Sequence, residues 1–374
     1  MYGPYVGRKQ VMIMAIETKV YKHLDDAAIA ELGARLRNGQ LVVIPTETVY
    51  GLGASGYDEA AMSRIYEAKG RPSDNPLILH VPDQDAVKPL VASIPPTAQK
   101  LMDAFWPGPL TIIMPKSDKV PKRATGGLDS VAIRCPAHDV CRAILKAAGV
   151  PVAAPSANIS GRPSPTTADA VLHDMKGRIE AIADAGPCDV GVESTIVECG
   201  DDAVTILRPG GITDAMLKRV VSTVTFDEAL SAPDVAPKAP GMKYTHYAPD
   251  GDMTTYVGAP RLVSQAMIEA MEAIKQEHHD KPLRFGFLMS DEVAQFLDIY
   301  LSSSDVPFEY VIYGNAADYK GLAHNLYSSL LAFNKAGVTH IFATGVPMQG
   351  LGRAIMNRMA KASGQKIVHV TGKP

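Results

Sequence analysis

The segment SAPDVAPKAPGMKYTHYAPD, residues 231–250, divides the chain and decides how the rest is read. It holds four prolines in twenty residues. Each proline restricts the backbone and lacks an amide donor, so the stretch reads as a stiff extended tether and not as a core element. C-terminal to it, short β-rich runs near 254, 285, 308, 340 and 367 alternate with helical patterns. Strands separated by helices imply right-handed crossovers, hence a parallel, doubly wound, Rossmann-like sheet. N-terminal to it the pattern is less regular. Apolar runs near 41, 77, 110, 131, 152, 179, 194 and 204 read as strands, and helix patterns fall near 25–38, 58–68, 138–148 and 166–175. Neighbouring strands at 110–114 and 131–134 have no helix between them, so a mixed, twisted sheet with some antiparallel pairing is expected. The α/β chain is therefore read as a module over 15–221, a Pro-rich linker or lid over 222–250, and a second domain over 251–374. Its 374 residues suit two domains at about 150 residues each.

Composition narrows the function classes. Hydrophobic residues make up 46% and charged ones 21%, enough apolar surface for a sizeable core. A net charge of -3 supplies no broad cationic field for gripping a nucleic-acid backbone. The four cysteines form no C-x-x-C pair, which fits a reducing cytoplasm and argues against a zinc knot or a disulfide framework. The apolar run 11–16 is too short for an export signal or a membrane span. Residues 1–13 read as dispensable, with Met14 a plausible start.

Several motifs carry chemistry. GLGASG (51–56) matches a dinucleotide fingerprint, but six residues separate it from the preceding strand, and the expected later acid is missing. PTETVYG (45–51) is more informative, because Thr46, Thr48 and Tyr50 place hydroxyls at a buried strand's end. EAKGRP (67–72) is a complete helix stop. It is followed by SDNP and an apolar strand ending near His80, so Lys69 and Arg71 are placed to neutralise phosphate oxygens. In PSANISGRPS (155–164), Ser156 is a phosphate donor candidate and Asn158 a neutral oxygen ligand for magnesium. Arg208 is a candidate clamp. Arg134, within the apolar run SVAIRCP, needs a partner, and a substrate carboxylate would serve. Trp106 reads as packing. There is no P-loop, H-E-x-x-H or G-x-S-x-G motif.

PTETVYGLG (45–53), KGRPSDNPL (69–77), FWPGPLT (105–111), APSANISGRPSPT (154–166), ESTIV (193–197) and LRPGG (207–211) together resemble the threonylcarbamoyl-AMP synthase family. The linker and second domain resemble its longer form, a YrdC-like module plus a C-terminal domain. The resemblance implies a nucleotidyltransferase that joins L-threonine, bicarbonate (or carbon dioxide) and ATP into threonylcarbamoyl-AMP, releasing pyrophosphate. A downstream threonylcarbamoyl-transferase complex would then modify tRNA to threonylcarbamoyladenosine. It implies catalytic roles for Lys69, Arg71, Ser156 and Asn158. ATP would meet Arg71, Asn75, Ser130, Ser156, Ser164, Arg208 and the linker's Tyr247. Threonine would meet Thr48, His80, Arg134, Ser194 and the backbone at Ala154. Mg2+ would enter on the ATP phosphates, with Asn158 as a further ligand. Two rival readings are an RNA-binding module with a cationic concave face and a carbamoyl-transfer enzyme using the same pocket.

Overall fold

The computed structural model describes residues 16–230, 246–278, 282–301 and 307–372. The expected dispensable start and the linker's residues 231–245 lie outside them. Eleven strands build the first sheet: β1 (Lys19–Tyr21), β2 (Val42–Ile44), β3 (Gly51–Ser55), β4 (Ile78–His80), β5 (Leu110–Pro115), β6 (Ser130–Arg134), β7 (Val152–Ala153), β8 (Ala181–Ala183), β9 (Thr195–Gly200), β10 (Ala203–Arg208) and β11 (Thr223–Phe226). Their spatial order is β1-β8-β2-β3-β7-β4-β6-β5-β9-β10-β11. The pairing is mixed as expected: β5 with β6 and β9 with β10 are antiparallel, while β4 with β6 and β5 with β9 are parallel. Strand β11 pairs with β10, so the first sheet extends beyond the boundary at 221 drawn from composition.

The GLGASG segment is a strand, not a phosphate loop. β3 lies antiparallel between β2 and β7, and a Cβ on Gly53 would come within 2.9 Å of Val152 Cγ1 and of the Val42 carbonyl. Glycine is needed there because neighbouring chains press against the strand. Gly53→Ala is therefore expected to destabilise the protein by roughly 1–3 kcal/mol, read as a lowered denaturant midpoint. The next helix, Glu59–Lys69, starts where the Asp58 carboxylate accepts from the amides of Ala60 and Ala61, and it ends at Gly70 with φ 60°. This ending delivers Lys69 and Arg71 to the sheet. Trp106 is packing, with its indole nitrogen donating to the Leu110 carbonyl at 2.7 Å.

Five parallel strands form the second sheet: β12 (Asp252–Gly258), β13 (Phe285–Ser290), β14 (Phe308–Gly314), β15 (His340–Thr344) and β16 (Ile367–Val370), in the order β14-β13-β15-β12-β16. Alternation along β13 and β15 separates two cores, since successive side chains point to opposite faces. Phe285, Phe287 and Phe342 join helices Pro260–Glu277 and Asp291–Leu301 on one face. Leu288, Ile341 and Ala343 join helices Tyr319–Ala336 and Gly352–Ala362 on the other. That second core also takes in Val49 and Val192 from the first module and Tyr247 from the linker, so the two halves share buried apolar surface.

Candidate active site

One cavity gathers most of the residues singled out from the sequence. Thr48 reaches it from the turn between β2 and β3, Lys69 and Arg71 from the helix end, and His80 and Arg134 from the ends of the parallel strands β4 and β6, where they face each other in register. Ala154, Ser156 and Asn158 follow β7, Ser194 precedes β9, Arg208 closes β10, and the buried Tyr247 adds its side chain to the wall. Three expected residues do not line it. Ser164 is wholly buried behind the wall, donating to Glu193 Oε1 at 2.5 Å. Asn75 is buried, with its carbonyl accepting from Tyr66, and Ser130 begins β6 opposite Pro115, at the far end of the strand from Arg134. Tyr50 turns away: its hydroxyl donates to the Gly186 carbonyl at 2.6 Å. The Ala154 amide is committed to the Ile78 carbonyl, so no donor remains there.

Arg134 has a partner within the protein. Its Nη2 lies 2.7 Å from Glu47 Oε1, its Nη1 donates to Thr48 Oγ1 at 2.8 Å and its Nε to the Gly108 carbonyl at 3.3 Å. A carboxylate from the chain thus meets the need assigned to a substrate, although the Glu47 contact is misaligned and leaves Nη2 without a hydrogen bond. His80 is kept neutral, since burial and then the Arg134 charge push its pKa down to about 3. Arg208 donates from Nε to the Ser194 carbonyl and from Nη2 to Ser194 Oγ, which also bonds Thr111 Oγ1.

Lys69 is buried, its Nζ donating to the carbonyls of Ser156 and Asn158 at 2.5 Å each. Burial, then the charge of Arg71, pushes its pKa well below the usual lysine range. Its N–H groups supply a donor to each of the two carbonyls. Arg71 is itself pushed down to about 10, chiefly by burial and further by Arg208. The three cations crowd one another, and among the described residues none of them has a carboxylate within ion-pair distance.

Among the described residues four buried polar atoms on this wall make no hydrogen bond: Arg71 Nε, Asn158 Oδ1, His246 Nε2 and the ion-paired Arg134 Nη2. Each such atom costs about 1–3 kcal/mol, so their concentration at one cavity fits a site built for a ligand. Asn158 Nδ2 donates to the carbonyls of Ile159 and Arg162, which fixes the amide and leaves Oδ1 unused, a fit for a hard cation or a donor. Among the described residues no group of three or more His, Cys, Asp or Glu side chains is arranged to hold a metal ion.

Sequence reasoning missed Glu47, Glu193 and His246. Glu193 and Glu47 lay inside quoted motifs, and their burial was the signal not read. It also missed Tyr327 and Arg358, which reach Glu193 from the second domain and sit in no motif.

A mixed-sheet module carries the cationic cavity and shares buried apolar surface with a parallel α/β domain. A family model described as telomere recombination matches residues 34–210, and one described as threonylcarbamoyl-AMP synthase, C-terminal domain, matches 212–364. The chain is 43% identical over 346 residues to a threonylcarbamoyl-AMP synthase of Bacillus subtilis, covering 92% of this chain and 95% of that one. It is 40% identical to that of Pyrococcus abyssi, covering 96% and 100%. The crystal structure of P. abyssi Sua5 complexed with L-threonine aligns with a TM-score of 0.84 at 41% identity, over 95% of this chain and 99% of that one. A double-alanine variant of the same protein aligns at 0.87 with 38% identity, over 96% and 99%. The chain belongs to the threonylcarbamoyl-AMP synthase family and is an enzyme of the nucleotidyltransferase kind. No helix among the described residues is long and apolar enough to cross a membrane.

Proposed function

We propose that this chain joins L-threonine, bicarbonate and ATP into threonylcarbamoyl-AMP with release of pyrophosphate. The observation that carries the reading is the set of four polar atoms without a hydrogen bond beside three carboxylate-free cations in one buried cavity. The threonine-bound P. abyssi relative supports the amino-acid substrate. Threonine would occupy the side formed by Thr48, His80, Arg134 and Ser194, with Arg134 Nη2, ion-paired with Glu47 but not hydrogen-bonded to it, donating to the threonine carboxylate. The triphosphate would face Lys69, Arg71, Ser156 and Arg208 beneath Tyr247. Asn75, Ser130 and Ser164 would support that side from outside the wall.

The threonine amine and bicarbonate give a carbamate and water. A carbamate oxygen then bonds to the α-phosphorus, and the bond from that phosphorus to the pyrophosphate oxygen breaks with its electron pair. Anion approaches anion, and two unit charges about 4 Å apart repel by about 4 kcal/mol at an effective dielectric of 20. Lys69, Arg71 and Arg208 offset that repulsion and hold the reactants in line. No side-chain nucleophile is required. Mg2+ entering with ATP would further neutralise the leaving pyrophosphate, and Asn158 Oδ1, which makes no hydrogen bond among the described residues, would serve as its protein ligand. Tyr247, buried on the cavity wall, would keep water from the carbamate and the mixed anhydride. We place the enzyme in the cytoplasm, upstream of a threonylcarbamoyl-transferase complex acting on tRNA, with little tRNA affinity of its own.

The test is pyrophosphate release. It is expected to require all three substrates together, and release without threonine, or RNA retention at low salt with no release, overturns the reading. A second measurement concerns protons. Lys69 is depressed in the free site and regains its proton against phosphate, so the complex binds more protons than the free enzyme between that depressed value and about 10.5. ATP affinity should therefore rise as pH falls through that window, with proton uptake visible as a buffer-dependent binding enthalpy that Lys69→Ala abolishes.

A further inference from the structure

Arg358, on helix Gly352–Ala362 of the second domain, is the largest fully buried side chain among the described residues. A guanidinium stripped of water must find its partners inside the protein. Its Nε donates to Glu193 Oε2 at 3.0 Å, its Nη1 to the Pro209 carbonyl at 2.5 Å, and its Cζ lies 5.8 Å from the centre of the Tyr247 ring. From the neighbouring helix, the Tyr327 hydroxyl lies 3.0 and 3.2 Å from the Glu193 oxygens, and its ring centre 5.3 Å from that of Tyr247. All of these contacts reach the wall of the cavity or the segments that carry it. Glu193 directly precedes Ser194, and Pro209 directly follows Arg208.

We propose that Arg358 is a positioning residue for the nucleotide side of the site: the second domain, through one guanidinium, fixes where Arg208 and Tyr247 stand. The inference rests on the nucleotide reading given above. Three features make the clamp stiff. A Cβ on Gly210 would lie 2.4 Å from both the Glu193 carbonyl and the Thr195 amide, so the two strand ends are pressed together with no space to slide. Gly191 meets helix Tyr319–Ala336 as closely, at 2.4 Å from His324 Cα. Tyr247 holds φ at 66°, a left-handed conformation that costs a bulky residue on the order of 1 kcal/mol or more unless its surroundings impose it. Arg358 and Tyr327 supply those surroundings, together with the bond from the Ala248 amide to the Gly161 carbonyl. Glu193 stays ionised within this clamp. Burial pushes its pKa up, but Arg358 and Arg208 outweigh that and hold it at about 2.

A clamp that merely joined two domains would affect both substrates alike. Of the threonine-side residues only Ser194 adjoins the clamp, next to Glu193 and bonded by Arg208, while Thr48, His80 and Arg134 stand on other segments, so a positioning role predicts a larger effect on ATP than on threonine. In the full-length enzyme, Arg358→Lys keeps the charge but replaces the planar fork, whose Nε and Nη1 reach Glu193 and Pro209 separately, with a single nitrogen. It is expected to raise the KM for ATP by roughly tenfold while threonine affinity, measured by direct titration, stays within about twofold. Tyr327→Phe, which removes one donor and keeps the ring, is expected to shift the ATP KM in the same direction by a few fold. Should the lysine variant fail to fold, Arg358→Met combined with Glu193→Gln removes both buried charges together and is expected to fold with the ATP defect intact. Equal losses for ATP and threonine, or an unchanged ATP KM in folded variants, overturn the proposal. A wild-type enzyme without three-substrate pyrophosphate release overturns the underlying reading instead.

Discussion

Arg71→Ala and Lys69→Ala are each expected to lower three-substrate pyrophosphate release by on the order of a hundredfold or more, the scale of losing one preorganised charge at a developing anion. Arg71 is the cleaner probe. It is largely buried, but among the described residues its one hydrogen bond goes to the Pro76 carbonyl at 3.1 Å and its Nε has no hydrogen-bond partner, so little of the fold depends on it. Lys69 also ties down the Ser156 and Asn158 carbonyls, so its removal leaves two buried acceptors unpaired and the loop after β7 less fixed. Its variant should therefore lose thermal stability as well as rate, whereas the Arg71 variant should lose rate alone. Thermal melts beside the pyrophosphate assay separate the two effects. A rate change below about threefold in the Arg71 variant would remove that residue from the mechanism.

The second large effect is expected at Arg134. Arg134→Met strands the Glu47 carboxylate in a setting where both side chains are nearly inaccessible, 4% and 8% exposed. Breaking one side of such a pair costs about 3–5 kcal/mol, seen as a fall in unfolding free energy. Adding Glu47→Gln removes the abandoned charge and should return much of the stability. Threonine binding should stay lost in both variants, because the donor directed at its carboxylate is gone. If the double variant regains threonine affinity along with stability, Arg134 acts only through the fold.

The second domain was the more legible half, because each strand there is followed by a helix and one repeated rule gives a parallel sheet. In the first module β3 was hidden, since a glycine-rich run has no apolar alternation and its reason is the nearness of Val152 and Val42. Site residues at strand and helix ends were readable from chain order alone: Lys69, His80, Arg134 and Arg208 each fall where an element stops. Ser164 and Tyr50 were harder, because a hydroxyl in a loop motif gives no sign of which side of the wall it faces. Arg358 was out of reach. In a helix with a strongly one-sided apolar pattern it reads as a solvated charge, and only the docking of the two domains reveals the buried carboxylate it meets.

With Tyr247 on its wall and 4% exposed, the cavity has about 60 Å³ of free space, room for a handful of water molecules. On the proposed reading, Tyr247 would swing aside once to admit the reactants and once more to discharge the adenylate. Throughput would then be bounded by how often that latch releases, and a tighter seal would lengthen the stay of the intermediate until an acceptor is at hand.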